Sequence, residues 1–580
     1  MKRTQAVALG EAPADLVIAG GRVFLPETGE FRALDVAICD NEIAALPDDA
    51  DEVIGENTRV IDADGRAVLP GFIDAHTHVD TVQTLENAYH YALEGGTTTV
   101  VTETSGLGGA FGAEGVEALL AATSYLPITV KATVPPQPLA DTFEEPRADE
   151  DEAEALAELL ADDRIVGVGE TDWIHVVGRD SPIERLHERA EREGKRSCGH
   201  GAGCDGAKLS AFAGVVDNDH EAITADGVVE RVERGIHAIG RYGSIRDDVE
   251  AIAGAVDRVG AAELSLSTDG MWPRKLLDEG LMDAVVRQTI EAGVDPADAI
   301  RMATLNPARH FGLDDRGSLA PGNAADVLVV DDLESVHVTT VISGGEVVVH
   351  NNEVRVAPRS HEYPERFYDA VDVRTDPEAF RVPADAADAE GRVRAIQLGE
   401  GLLSHEATVE PAESEGELRA APERDVAKVA LLDRHPDADG SGFAGFLTGY
   451  GIERGGVATS MTMEATGVLA VGADDADLRA AVERVNELGG GWAVVRDGDV
   501  IAELPYRVAG CAADLEVEET AKLLDAAENA VRSLGVGVER PLVSLASLPF
   551  VGVPTMKLTT SGYADVVRRR LVGLEPENGA

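Results

Sequence analysis

Leu69-Pro70-Gly71-Phe72-Ile73-Asp74-Ala75-His76-Thr77-His78 is the stretch on which the fold of this chain turns. A Pro-Gly entry followed by a short apolar run predicts a buried strand. On a strand, residues two apart point to the same face, so His76 and His78 can offer two imidazoles to one metal at the strand's C-terminal end. In a (β/α)8 barrel, that end is where catalytic groups collect.

The residues downstream keep the texture such a barrel needs. Apolar runs at Thr97-Thr98-Thr99-Val100-Val101, Ile128-Thr129-Val130-Lys131-Ala132, Ile165-Val166-Gly167-Val168-Gly169 and Leu264-Ser265-Leu266-Ser267 alternate with amphipathic stretches such as 114–123 and 151–161. Strands alternating with helices over 70–315 predict an α/β fold with a (β/α)8-type metal-dependent hydrolase barrel. One His pair cannot complete a catalytic metal site, so further ligands are expected at later strand ends. Glu170 follows a strand, Cys198-Gly199-His200 and Asp219-His220-Glu221 bring two more histidines, and Ser267-Thr268-Asp269 brings another carboxylate. His76, His78, Glu170, His200, His220 and Asp269 would hold a pair of divalent metals, with Glu170 able to bridge them.

Both flanks of the barrel read as strands. Leu16-Val17-Ile18-Ala19-Gly20-Gly21-Arg22-Val23-Phe24 carries a turn-like Gly pair, and Val341-Ile342-Ser343-Gly344-Gly345-Glu346-Val347-Val348-Val349 echoes it. Residues 1–69 and 316–351 are therefore assigned to one composite small β domain around the barrel at 70–315. Residues 352–394, rich in Asp, Glu, Pro and Arg, read as a connecting segment. Residues 395–575 read as a C-terminal α/β domain, with strands near 467–472 and 491–496, helices near 474–488 and 516–534, and a loose tail after Leu574.

The formal charge of −56 with a pI near 4.4 is spread along nearly the whole length. That distribution speaks against a nucleic-acid partner, while 44% hydrophobic residues in periodic runs support a folded chain with an acid-coated surface. Such a surface repels itself at low salt and is screened at molar salt, where the Debye length is about 3 Å, so a salt-rich cytoplasm is the expected setting. Cys39, Cys198, Cys204 and Cys511 make no disulfide framework and no zinc-knuckle spacing. No stretch has the length of a signal peptide or a membrane span. A homodimer is compatible with these features.

Further stretches resemble the adenine deaminase family of the metal-dependent amidohydrolases. Glu279-Gly280-Leu281-Met282-Asp283 and the run from Asp295-Pro296 through Thr304-Leu305-Asn306-Pro307-Ala308-Arg309-His310-Phe311-Gly312-Leu313 are similar to that family almost word for word. Arg434-His435, Gly489-Gly490-Gly491, Asp497-Gly498-Asp499-Val500, Glu503-Leu504-Pro505 and Met556-Lys557-Leu558-Thr559 resemble its C-terminal pattern. The resemblance implies hydrolysis of adenine to hypoxanthine and ammonia by a metal-activated hydroxide, as in purine salvage. It implies metal roles for His76, His78, Glu170, His200 and His220, a metal and proton-transfer role for Asp269, and Mn in preference to Fe or Zn. The catalytic pair is Asp269 with Glu170, and Glu103 and Glu221 are the candidates for substrate contact.

The chain also departs from the family. Where the family reads Asp-Pro-His-Glu, this chain has Glu103-Thr104-Ser105-Gly106; its Met-Asn-type residues after the bridging Glu are Thr171-Asp172; its second Asp is Gly270; and Ser460-Met461-Thr462-Met463-Glu464-Ala465-Thr466-Gly467 skips a His-Asp-x-His-Asn segment. These changes leave open a hydrolase of another cyclic amide, amidine or aminopurine, and a non-catalytic metal-bound relative. Gly201-Ala202-Gly203-Cys204-Asp205-Gly206 fits a dinucleotide fingerprint but follows a polar run, so its glycines are attributed to the neighbouring histidine. His90, His187, His237 and His361 lie outside the ligand pattern.

Overall fold

The computed structural model describes residues 2–399, 401–434 and 442–576; His435 and the tail residues 577–580 lie outside the described residues. Eight parallel strands form the barrel: β1 Phe72–Thr77, β2 Thr97–Thr102, β3 Thr129–Val134, β4 Ile165–Asp172, β5 Arg196–His200, β6 Asn218–Asp219, β7 His237–Arg241 and β8 Leu264–Ser267. Helices such as Leu107–Thr123 and Glu150–Leu159 cover the outside. Burial on both faces explains why β2 and β4 read as near-continuous apolar or Thr-rich runs instead of alternating ones. The seam between β1 and β8 is closed by polar bonds. Asp74 accepts from the Thr268 amide at 3.0 Å and from its hydroxyl at 2.6 Å, and the Asp269 amide donates to the His76 carbonyl at 3.0 Å.

The segments on either side of the barrel meet in one nine-stranded sheet, in which Ala67–Pro70 pairs antiparallel with Val327–Val330. The two Gly-Gly pairs do different work there. Gly344-Gly345 turns the hairpin between Val338–Ser343 and Glu346–His350. Gly20-Gly21 instead lies inside the single strand Leu16–Leu25, where Gly20 at φ +69° creates a bulge that shifts the register against Glu30–Cys39. A glycine able to take the left-handed region serves both a turn and a bulge, which is why the repeated motif does not distinguish them.

In the connecting stretch, Phe367, Val371 and Phe380 are buried. An eight-stranded mixed sheet follows, backed by helices Asp475–Leu488 and Val517–Ser533. This part of the chain is joined to the barrel by backbone: Ala512–Ala513 pairs in parallel with Val82–Gln83, just after His78, and the Val82 amide donates to the Cys511 carbonyl at 2.8 Å. Among the described residues no helix is long and apolar enough to cross a membrane.

Candidate metal centre and active site

The six expected ligands come from five strand ends and meet at the C-terminal mouth of the barrel. β1 presents His76 and His78 on one face, with ring centroids 5.3 Å apart. Glu170 lies near the end of β4, His200 ends β5, His220 follows β6, and Asp269 follows β8. Ligand atoms of His76, His78, Glu170 and Asp269 all lie within 4.8 Å of one another, and so do those of Glu170, His200 and His220.

Glu170 is the residue common to both groups. Its Oε1 is 3.1 Å from His220 Nε2, 3.4 Å from His200 Nδ1 and 3.5 Å from His76 Nε2, while Oε2 is 3.8 Å from His78 Nε2. Asp269 divides its oxygens as well. Oδ1 lies 3.4 Å from His76 Nε2 and 3.3 Å from His78 Nε2, and Oδ2 accepts from Arg241 at 3.1 Å. Burial would raise both carboxyls, but the surrounding imidazoles, joined by Arg241 at Asp269, hold them well below the usual carboxylate range. Both are thus ionised oxygen donors.

A divalent cation fits these residues. His76 Nε2, facing both carboxylates, is buried without a hydrogen-bond partner. An unsatisfied buried nitrogen costs about 1–3 kcal/mol, which coordination removes. Four imidazoles and two carboxylates are a borderline N/O donor set of the kind Mn, Fe and Zn accept.

Neighbouring groups fix the ligands. Ser105 Oγ is hydrogen-bonded to His78 Nδ1 at 3.0 Å. Glu103 does not line the cavity where a substrate contact was expected. It is buried behind the cluster, where it accepts from the Glu170 amide at 3.0 Å and from Thr133 Oγ1 at 2.7 Å, with Oε1 3.6 Å from His76 Nδ1. A carboxylate in that place sets the orientation of an imidazole ligand. Glu221, the other expected contact, does line the cavity and pairs with Arg241. The glycine beside His200 has a local cause, since a Cβ on Gly201 would collide with Asp219 Oδ2. The polar run before that motif ends in a true strand, β5, so the glycines do follow a strand; what they border is a histidine cluster.

A cavity of about 660 Å³ opens from the cluster. Its walls include Arg241, Met271 and Trp272 from the barrel and Met461, Met463 and Phe550 from the C-terminal part of the chain. Phe550 meets the His200 ring edge-on, with centroids 5.1 Å apart. None of these six residues was singled out from the sequence. Arg241 carried one usable signal, its place as the last residue of a barrel strand. The other histidines stay apart: His187 bonds Ser197 Oγ at 2.8 Å, and His237 bonds Ser265 Oγ at 2.7 Å while stacking on His310.

Residues 67–348 match the profile described as amidohydrolase family, and residues 402–570 match the one described as adenine deaminase C-terminal domain. An adenine deaminase of Halalkalibacterium halodurans is 32% identical over 98% of this chain and 97% of its own length. One of Moorella thermoacetica is 33% identical over the same shares, and one of Methanothrix thermoacetophila is 32% identical over 97% of each chain. With both its barrel and its C-terminal part matched and near-full-length relatives above 30% identity, this chain belongs to the adenine deaminase family of amidohydrolases.

Proposed function

We propose that the protein hydrolyses adenine to hypoxanthine and ammonia, acting on a C–N bond of a cyclic amidine. The observation that carries this is a cluster of four histidines and two carboxylates at the inner end of a large cavity, in a chain whose relatives named adenine deaminase align with it nearly end to end. His76, His78, Glu170 and Asp269 would hold one cation and Glu170, His200 and His220 a second, with manganese favoured over iron or zinc by the family resemblance.

Bound divalent metal supplies Lewis acidity and lowers the pKa of a coordinated water from about 15.7 towards 7. The protein's own residues do the rest. Water oxygen bonds to C6 of the base and the C6–N bond breaks. Both protons leave the attacking water: one passes to ring N1 as water adds across C6=N1, and the other is taken by Asp269, through Oδ1 on the cluster side, and given to the amino nitrogen, so that ammonia leaves instead of amide ion. Glu103 and Ser105 keep the imidazoles of His76 and His78 turned towards the cluster, while the apolar walls exclude bulk water. The acidic surface supports work in a salt-rich cytoplasm.

The test is ammonia release from adenine by metal-loaded protein in high salt, beside a panel of other aminopurines, pyrimidines and cyclic amides, with elemental analysis of protein purified without chelator. The expected results are turnover of adenine and about two metals per chain. Activity confined to another member of the panel would overturn the substrate, and a reproducible metal content near zero would overturn the cluster's role.

A further inference from the structure

Arg241 closes β7 between the strands that carry Glu221 and Asp269, and its side chain is only 1% exposed. Its guanidinium is held from two sides. On the outer side, Nε donates to Asp248 Oδ2 at 2.9 Å, Nη2 lies 2.7 Å from the same oxygen, and the Asp248 amide donates back to the Arg241 carbonyl at 2.8 Å. On the inner side, Nη1 donates to Asp269 Oδ2 at 3.1 Å and also to Glu221 Oε1.

Neutralising one buried arginine takes one carboxylate, and Asp248 alone would do that. The inner contacts have a different consequence. Glu221 and Asp269 follow β6 and β8, the two neighbours of β7, and their like charges would drive them apart across the cavity wall. A planar fork anchored at its outer edge holds both on a single nitrogen, which a flexible point charge does not reproduce. Asp269 Oδ1 is thereby left facing the cluster, while Glu221 stays on the wall within 3.6 Å of His220 Nε2.

Resting on the deaminase reading above, we propose that Arg241 is a positioning residue. It fixes the separation of Asp269, which moves the proton to the leaving amine, and Glu221, which accepts a hydrogen bond from the ring N–H that forms at N1 as water adds across C6=N1 and that hypoxanthine keeps. Hypoxanthine, which carries that N–H, is the probe, and Trp272 on the cavity wall provides the fluorescence signal.

Arg241→Lys keeps the charge but not the fork. The expected result is a kcat for adenine about 10²-fold lower, the scale of a misplacement near 1 Å, and hypoxanthine binding about tenfold weaker from a lost charged hydrogen bond, with metal content unchanged. Asp248→Asn, which alters neither a cluster ligand nor a cavity-wall residue, should move both quantities in the same direction by less, and it decides the matter if Arg241→Lys does not fold. Variants with lower melting temperature but unchanged kcat and hypoxanthine affinity per folded, metal-loaded molecule would overturn the positioning role while leaving the deaminase reading intact. A wild type inactive on adenine would overturn that reading, and this inference with it.

Discussion

Asp269→Asn separates a proton carrier from a structural carboxylate more cleanly here than at most sites, because the backbone tolerates the change. Asp269 sits at φ +51°, in the left-handed region that Asn enters readily among residues with a Cβ. Arg241 keeps Glu221 and Asp248 as partners, so no buried guanidinium is left unpaired. The amide then has one sensible orientation. Its oxygen must take the place of Oδ2 against Arg241, since an NH2 there would face a cation, and the NH2 is left where Oδ1 faced His76 and His78. An amide nitrogen in that place accepts no proton at neutral pH and coordinates metal weakly. Loss of general acid–base catalysis is worth about 10²–10⁴-fold, or about 3–6 kcal/mol of barrier at about 1.4 kcal/mol per tenfold. Ammonia release from adenine in high salt should therefore fall by that factor, after correction for folded fraction and metal content, with residual metal retained by the other ligands. A variant within about tenfold of wild type by this measure would remove Asp269 from proton transfer.

Three further outcomes follow from the structure. With a net charge of −56, dialysis from molar to about 0.1 M salt lengthens the Debye length roughly threefold and should lower the melting temperature; an unchanged melting curve would reject the salt-adapted surface. His237 and His310 stack with centroids 4.3 Å apart, and burial depresses both below the ordinary imidazole value, aided at His310 by His237 and at both by Arg196, and opposed at His237 by Glu263. The unfolded chain then binds more protons below about pH 6.5, so stability is full above that pH and falls as pH drops, by up to about 1.4 kcal/mol per pH unit for each group. His310→Gln should flatten that slope, and an identical slope would show that the stack does not contribute. Phe550→Leu should raise KM for adenine about fivefold or more through lost base stacking, worth about 1–3 kcal/mol, with kcat little changed; an unaltered KM would take Phe550 out of the substrate wall.

What could be read from the chain follows the range of the interactions involved. His76 and His78 were legible because two-residue periodicity fixes their common face, and Glu170, His200, His220 and Asp269 because a parallel barrel gathers its strand ends at one mouth. Phe550 and Met463 carry no such local signal. They reach the cavity by packing across domains, far from the cluster in sequence, helped by the Val82–Gln83 pairing with Ala512–Ala513. Glu103 was placed on the substrate side because it stands where the family has an Asp, yet only the register of β2 against β3 and of β3 against β4, with the bond from the Glu170 amide, shows that it lies behind His76.

The departures from the family pattern are also ordered in space. Ser105 touches His78 from outside the metal cluster, Gly270 lines the cavity beside Asp269, and the segment Ser460–Gly467 sends Met461 and Met463 onto the cavity wall and buries Glu464, whose carboxyl burial pushes up to about 8. None of these changes removes a nitrogen or oxygen donor from the cluster. The candidate donor cluster is thus built from barrel strand ends, while the rest of the cavity wall adds Arg241 and Glu221 and loop residues of the barrel and the C-terminal part. Changes in the apolar wall residues should bear on how the base is held, and changes in the donor set, or in Arg241 that positions Asp269, on whether it reacts at all. A comparison of KM and kcat across Met463→Ala and His200→Asn follows directly: the first should act mainly on KM, the second on kcat and metal content, and a Met463 variant that loses metal would show that the two parts are not separable.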